Sequence, residues 1–120
     1  MTTTDLDDLA ERLFAAFVAH DLEAVDTMMA PDATMTQNGR MSSFAQARPG
    51  LAAIRNVIGD HRYEEVRRVI GANAVVEEHR VRSTTPKGVA LDLAACVVVR
   101  VNDDGLIVSL DEYVDTAALH

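Results

Sequence analysis

The chain has a single cysteine, few basic residues and no long apolar run, and each shortage excludes a class of protein. Cys96 has no second cysteine to pair with, which excludes an intramolecular disulfide and a multi-cysteine zinc site. The 120 residues carry 11 Lys and Arg against 19 Asp and Glu, for a formal net charge of -8. Such an acidic chain is poorly suited to nucleic acid or to an anionic membrane, because both are recognised through basic side chains.

Signals for a membrane span, for export and for a metal ion are also missing. No apolar run approaches the roughly 18–20 residues that a transmembrane helix needs. The N-terminal Met-Thr-Thr-Thr-Asp-Leu-Asp-Asp lacks the basic and apolar regions of a signal peptide. His20, His61 and His120 are scattered rather than spaced as His-x-x-x-His. We therefore expect a cytoplasmic chain without a metal ion or other cofactor.

Hydrophobic periodicity predicts helices in the first half of the chain. At 48% hydrophobic residues, the chain is long enough for one domain spanning residues 1–120 around its own core. Apolar residues at three-and-four spacing predict a helix capped by Thr4 and a second helix that Asp21 caps and Pro31 ends. Residues 39–50 are expected to form a loop, with Pro49-Gly50 as the turn before a third helix.

The second half changes to a period of two, which is typical of strands. After a short strand at 33–38, strands are predicted at 63–70, 74–84, 89–101 and 106–115, joined by Gly- and Asn-containing turns. Three helices followed by hairpin-linked strands predict an α+β domain whose curved antiparallel sheet wraps around the helices.

Glu112 lies in the last predicted strand, in an unusual place for a carboxylate. Strict alternation places it on one face with Val108, Leu110 and Val114. A carboxylate on an apolar face must be paired or functional, since an unpaired buried charge is costly. The alternative is an edge strand that leaves Glu112 in water.

His79 is the second candidate. Alternation in 74–84 turns Glu77 and His79 towards the interior, and an imidazole titrates near neutrality, as acid–base work requires. The alternative is a histidine satisfied by a neighbouring carboxylate or carbonyl. Arg67 and Arg68, with Glu64 and Glu65, are expected to form a solvated strand face.

Gln37 and Asn38 end the first predicted strand. Their neutral amides could bind a substrate oxygen. Ordinary turn chemistry before Gly39 is the alternative, and for Asn38 alone it is favoured.

Several strings along nearly the whole chain resemble the nuclear transport factor 2-like superfamily. This superfamily includes SnoaL-like polyketide cyclases, ketosteroid isomerases and limonene epoxide hydrolases. The strings are 20–25 (His-Asp-Leu-Glu-Ala-Val), 30–34 (Ala-Pro-Asp-Ala-Thr), 48–55 (Arg-Pro-Gly-Leu-Ala-Ala-Ile-Arg), 80–88, 104–107 and 111–115.

The resemblance implies a cone-shaped α+β barrel, with three N-terminal helices packed on a curved, mostly antiparallel sheet. It also implies a mostly apolar pocket for a small hydrophobic molecule and a homodimer formed through the outer face of the sheet. Arg80, Arg82, Cys96 and Arg100 would lie on that outer face. The implied substrate-binding residues are Leu13, Phe17, Met35 and Val97, together with Gln37 and Asn38.

Activities carry over only in part. Gln37 stands where ketosteroid isomerases have their general base, and an amide cannot take that proton. The position of their oxyanion-hole tyrosine falls near Leu13 here, and the position of their second acid falls near Val97. Steroid isomerisation is therefore disfavoured. Of the limonene epoxide hydrolase set, Glu112 falls on one acid's position and Asn38 could match the asparagine. The Arg-x-Asp string is replaced by residues 78–80 or 79–81, so the water-activating set is incomplete.

The leading hypothesis is an enzyme that works without a cofactor on a small, apolar, oxygenated molecule. Glu112 and His79 would carry out acid–base chemistry in an isomerisation, cyclisation, dehydration or hydration. The alternative is a non-catalytic protein of the same fold that binds a small molecule or acts as a dimeric interaction module.

Overall fold

The computed structural model describes residues 1–119, and His120 lies outside the described residues. The helices are Thr3–Val18 (α1), Leu22–Met28 (α2), Phe44–Ala53 (α3) and the single turn Arg55–Ile58 (α4). The strands are Met29–Gln37 (β1), Arg40–Ser43 (β2), His61–Ile70 (β3), Ala74–Thr84 (β4), Ala90–Val101 (β5) and Ile107–Val114 (β6), followed by the 3₁₀ turn Ala117–Leu119.

The strands form one sheet in the order β2-β1-β6-β5-β4-β3. β1 and β6 run parallel, and the other neighbouring pairs are antiparallel. The predicted α+β architecture of helices packed on a mostly antiparallel sheet is confirmed. β6 lies between β1 and β5, so the edge-strand alternative for Glu112 is wrong.

The main core lies between α1, α2 and the inner face of the sheet. Its fully buried side chains include Leu6, Leu13 and Val25 from the helices and Val75, Val99 and Ile107 from the strands. None of the described helices is long and apolar enough to cross a membrane.

Capping explains where the first two helices begin. Thr2, rather than the predicted Thr4, caps α1: its hydroxyl accepts from the Asp5 amide at 3.0 Å, and the Asp5 carboxylate accepts from the Thr2 amide at 2.9 Å. This reciprocal pair of hydrogen bonds satisfies two backbone amides that have no acceptor within the helix. Asp21 caps α2 as predicted, accepting from the Ala24 amide at 3.1 Å.

The loop predicted at 39–50 is wrong, because β2 and most of α3 occupy it. Ser43 and Gln46 form a second reciprocal cap, with both hydrogen bonds at 3.0 Å, and this fixes the start of α3 at Phe44. Pro49 lies inside α3 instead of ahead of it.

Irregular pairing changes which side chains face inward. In β3 the register shifts between Glu64 and Arg67, and Glu65 has a φ of 55°. An extra residue at such a bulge reverses the alternation, and the Arg68 side chain is only 12% exposed. The solvated face predicted for Arg68 is therefore wrong. A second shift lies between Arg100 and Val101 of β5 and affects β6. It buries Ile107, although strict alternation places Ile107 and Leu110 on different faces of β6.

Candidate active site

A cavity of about 530 Å³ lies between the helices and the inner face of the sheet. This volume is within the range of small-molecule sites. The wall is mostly apolar, with Phe14, Phe17, Leu22, Met35, Leu51, Ile54, Ile58, Val81, Leu93, Val97 and Leu110. The polar side chains that line it include His20, Gln37, Arg40, His61, Tyr63 and Glu112.

Glu112 is held in the cavity wall by Gln37. The two residues are register partners on the parallel strands β1 and β6. Gln37 Nε2 donates to Glu112 Oε1 at 2.9 Å. The bond fixes one carboxylate oxygen and leaves Oε2 available to a ligand. Since Gln37 is exposed and Glu112 is half-buried, this pair lies at an open part of the cavity.

Tyr63 supplies a second polar group to the wall. Burial raises the pKa of its phenol well above the ordinary value, and the negative charges of Glu112 and Glu77 act in the same direction. The phenol therefore stays protonated at neutral pH and can donate a hydrogen bond.

His61 lies two residues before Tyr63 on β3, and their ring centroids are 4.9 Å apart. Burial lowers the pKa of His61, and the positive charges that His20 and His79 can carry lower it further. The ring is therefore neutral near pH 7, with one donor and one acceptor nitrogen. Neither nitrogen has a hydrogen-bond partner within residues 1–119.

His79 is buried, as its alternation predicts, but it is not among the residues that line the cavity. Its Nδ1 lies 2.5 Å from Oε2 of Glu77. Its ring packs against Tyr63, with centroids 4.2 Å apart, and against Phe14 at 5.2 Å. His79 and Glu112 thus do not meet in one cavity, and His79 lies behind the cavity-lining rings of Tyr63 and Phe14.

A buried ion-pair network continues from His79. Glu77 is fully buried, and its Oε1 accepts from Arg68 Nε at 2.7 Å. Arg68 also pairs with two acids of α1, Asp7 at 3.0 Å and Glu11 at 2.9 Å. Although burial opposes it, these hydrogen bonds raise the pKa of Arg68. The network joins α1 to strands β3 and β4.

The predicted binding residues divide into two groups. Phe17, Met35, Val97 and Gln37 line the cavity. Leu13 is 0% exposed and packs in the main core instead of lining the cavity.

Asn38 is also absent from the lining, because its amide is bonded to backbone. Asn38 Nδ2 donates to the Val114 carbonyl at 3.0 Å, and Asn38 Oδ1 accepts from the Val114 amide at 2.9 Å. Its φ of 49° is the left-handed conformation that asparagine tolerates. The positive φ fits the turn chemistry given as the alternative for Asn38, whereas the side-chain hydrogen bonds to the backbone of Val114 on β6 were not predicted.

Sequence reasoning missed His61 and Tyr63 as site residues. The signal was their two-residue spacing, which places both on one face of β3, but the charged residues after them made the strand look solvated. Within the described part of the chain, no group of three or more His, Cys, Asp or Glu side chains could hold a metal ion.

Comparison with known proteins agrees with the resemblance found in the sequence. The fold is the α+β cone of the nuclear transport factor 2-like superfamily. The chain belongs to the SnoaL-like domain family, whose pattern it matches over residues 10–110. No curated protein is significantly similar to it in sequence.

Solved structures share this fold at low sequence identity. AclR from Streptomyces galilaeus, a candidate hydroxylase, has a TM-score of 0.87 and 17% identity, covering 98% of this chain and 80% of its own. A candidate SnoaL-like polyketide cyclase from Jannaschia has a TM-score of 0.80 and 17% identity, covering 98% and 90%. AusH from Aspergillus nidulans has a TM-score of 0.83 and 16% identity, covering 97% and 87%. Such distant likeness establishes the fold and leaves the chemistry to the residues of the cavity.

Proposed function

We propose that the chain is a cofactor-independent acid–base enzyme that acts on a small, mostly apolar, oxygenated molecule. One observation carries the proposal: a carboxylate, Glu112, is oriented by Gln37 in the wall of an apolar cavity that also holds a protonated phenol, Tyr63. An isomerisation, cyclisation, dehydration or hydration needs only such positioned proton transfer. The polyketide cyclase among the structural neighbours supports small-molecule chemistry.

In the proposed reaction Glu112 Oε2 removes a proton from a carbon or hydroxyl of the substrate. Tyr63 donates a hydrogen bond to the oxygen on which negative charge develops, and the burial of Tyr63 strengthens such a bond. Glu112 then returns the proton to a different atom. The proposed part of His79 is to hold the ring of Tyr63, against which it packs, rather than to touch the substrate.

The second candidate function is binding without catalysis, either as a small-molecule carrier or as a homodimeric interaction module. The position of His79 outside the cavity favours it, because the pair of groups expected to share the proton transfers is divided. A carrier would use the same cavity and leave its ligand unchanged.

To test the proposal, the protein is incubated with enones, lactones and epoxides in D₂O. Deuterium incorporation and product formation are then followed by NMR. Glu112→Gln keeps the side-chain volume and removes the base, so we expect turnover to fall at least about 100-fold. Glu78→Gln is the control, since Glu78 lies on β4 with its side chain 54% exposed. A compound turned over equally by wild type and Glu112→Gln would refute the proposal, whereas binding in the cavity without turnover would favour the carrier.

A further inference from the structure

The cavity has a second polar region, formed by His61 and His20. His61 is 6% exposed, and both its ring nitrogens are shielded from solvent without a partner among the described residues. His20 Nε2 is also unbonded, since it lies 3.2 Å from Asp60 Oδ1 but outside hydrogen-bond geometry. The two rings are neighbours, with centroids 5.8 Å apart. Both residues line the cavity.

Strand register separates this region from Glu112. On β5, Val97 pairs with Glu112 of β6. Six residues earlier on β5, Leu91 pairs with Ser83 of β4, and Ser83 pairs in turn with His61 of β3. The six-residue step from Leu91 to Val97 corresponds to about 20 Å along the strand, at ~3.4 Å per residue. Tyr63 lies between the two regions, opposite Val81, and the intervening wall includes the apolar Leu93.

Buried polar groups in proteins nearly always have hydrogen-bond partners, so a histidine with two unbonded nitrogens calls for an explanation. The neutral ring offers one donor and one acceptor, which suits a hydroxyl or carbonyl oxygen better than an anion. A ligand that enters the cavity far enough to reach β3 would bring such an oxygen to His61.

We propose that His61, with His20 beside it, forms a second binding subsite that hydrogen-bonds a neutral oxygen at the far end of an elongated, otherwise apolar ligand. The inference rests on the proposed function, because it names the class of substrate for the same cavity. The substrate would be a molecule of two or three rings with one oxygen near Glu112 and another near His61.

The experiment compares two probes that differ in one hydroxyl, 4-hydroxystilbene and 4,4'-dihydroxystilbene, by calorimetric or fluorescence titration. One extra neutral hydrogen bond should make the diol bind wild type about three- to tenfold more tightly. His61→Phe keeps a ring to pack against Tyr63 and should reduce this advantage to about twofold or less, the statistical factor for two equivalent hydroxyls. Glu78→Gln should keep the full advantage, and the ring ¹⁵N signals of His61 should shift with the diol.

Equal affinity of wild type for the two stilbenes, or a diol advantage that survives in His61→Phe, would overturn the subsite. Failure of both probes to bind at millimolar concentration would also overturn it, because the cavity would then not accept an elongated apolar molecule. Glu112→Gln separates this result from the proposed function. If that variant keeps both turnover and the diol advantage, the acid–base assignment fails and the subsite stands.

Discussion

Gln37 and Glu112, 75 residues apart in the sequence, are joined by a 2.9 Å hydrogen bond from the amide nitrogen to the carboxylate. Parallel pairing of β1 with β6 puts both side chains at one level of the sheet and on its cavity face. The amide therefore determines which carboxylate oxygen remains available for chemistry.

Gln37→Leu removes this hydrogen bond while leaving the carboxylate in place. Without the bond the carboxylate can rotate away from the reactive geometry, and a misplacement of about 1 Å can cost about 100-fold in rate, so we expect turnover to fall roughly 10- to 100-fold. The thermal unfolding midpoint should change little because Gln37 is exposed. Steady-state kinetics on any substrate found in the D₂O screen provides the measurement, and unchanged turnover would show that the bond does not orient the base.

Glu77→Gln should strongly destabilise the protein, because it leaves the buried Arg68 without its nearest carboxylate. Removing one partner of a buried ion pair costs about 3 kcal/mol or more. Glu78→Gln is the matched control on the same strand, where a half-exposed side chain lies 3.6 Å from Arg67 and contributes less than about 1 kcal/mol. Urea unfolding measures both variants, and equal stabilities would contradict the buried network.

The extent to which sequence predicted this fold follows from how regular each strand is. β4 alternates buried and accessible residues without interruption along its length, and its predicted bounds match those observed. β3 does not, because the bulge near Glu65 turns Arg68 inward. A positive φ at a glutamate is fixed by tertiary packing and has no signature in the residue itself.

The candidate site was only partly predictable for the same reason. The alternation of β6 identified Glu112 and that of β4 identified His79, but their separation depends on which side chains fill the space between helices and sheet. The Tyr63 ring packs against His79 and lines the cavity in its place. The alternation within a single strand cannot predict such a contact between side chains of two strands. The start of α3 was predictable in principle, since Ser43-x-x-Gln46 is a capping box, but Pro49-Gly50 gave a competing turn signal.

His61→Phe should stabilise the protein increasingly as the pH falls. The folded-state pKa of His61 lies below the ordinary 6.5, mainly because of burial. Below pH 6.5 the unfolded imidazole binds a proton that the folded one refuses, so the unfolded state is favoured and wild-type stability is lost towards acid. Urea unfolding at pH 7.5 and 5.5 should show a larger gain from the substitution at pH 5.5. An identical gain at both pH values would contradict a depressed pKa.

Gly59→Ala should destabilise the fold more than Gly39→Ala does. Both glycines have positive φ, 78° and 87°, so alanine is strained at either position, by about 1–3 kcal/mol. An added Cβ at Gly59 would also lie 2.1 Å from the Thr84 carbonyl oxygen, whereas at Gly39 nothing lies within 4 Å. The additional clash should lower the unfolding free energy by at least about 1 kcal/mol more. Equal losses in thermal unfolding would mean that α4 and β4 approach less closely.

The most direct test of the central claim is the elimination of 5-nitrobenzisoxazole, a flat apolar compound whose N–O bond breaks when a base removes the C–H proton of its isoxazole ring. Its nitrophenolate product is followed by absorbance, so the natural substrate need not be known. A carboxylate oriented in an apolar cavity predicts elimination at least about 100-fold faster with wild type and Glu78→Gln than with Glu112→Gln. Equal rates for wild type and Glu112→Gln would contradict the assignment of Glu112 as the base.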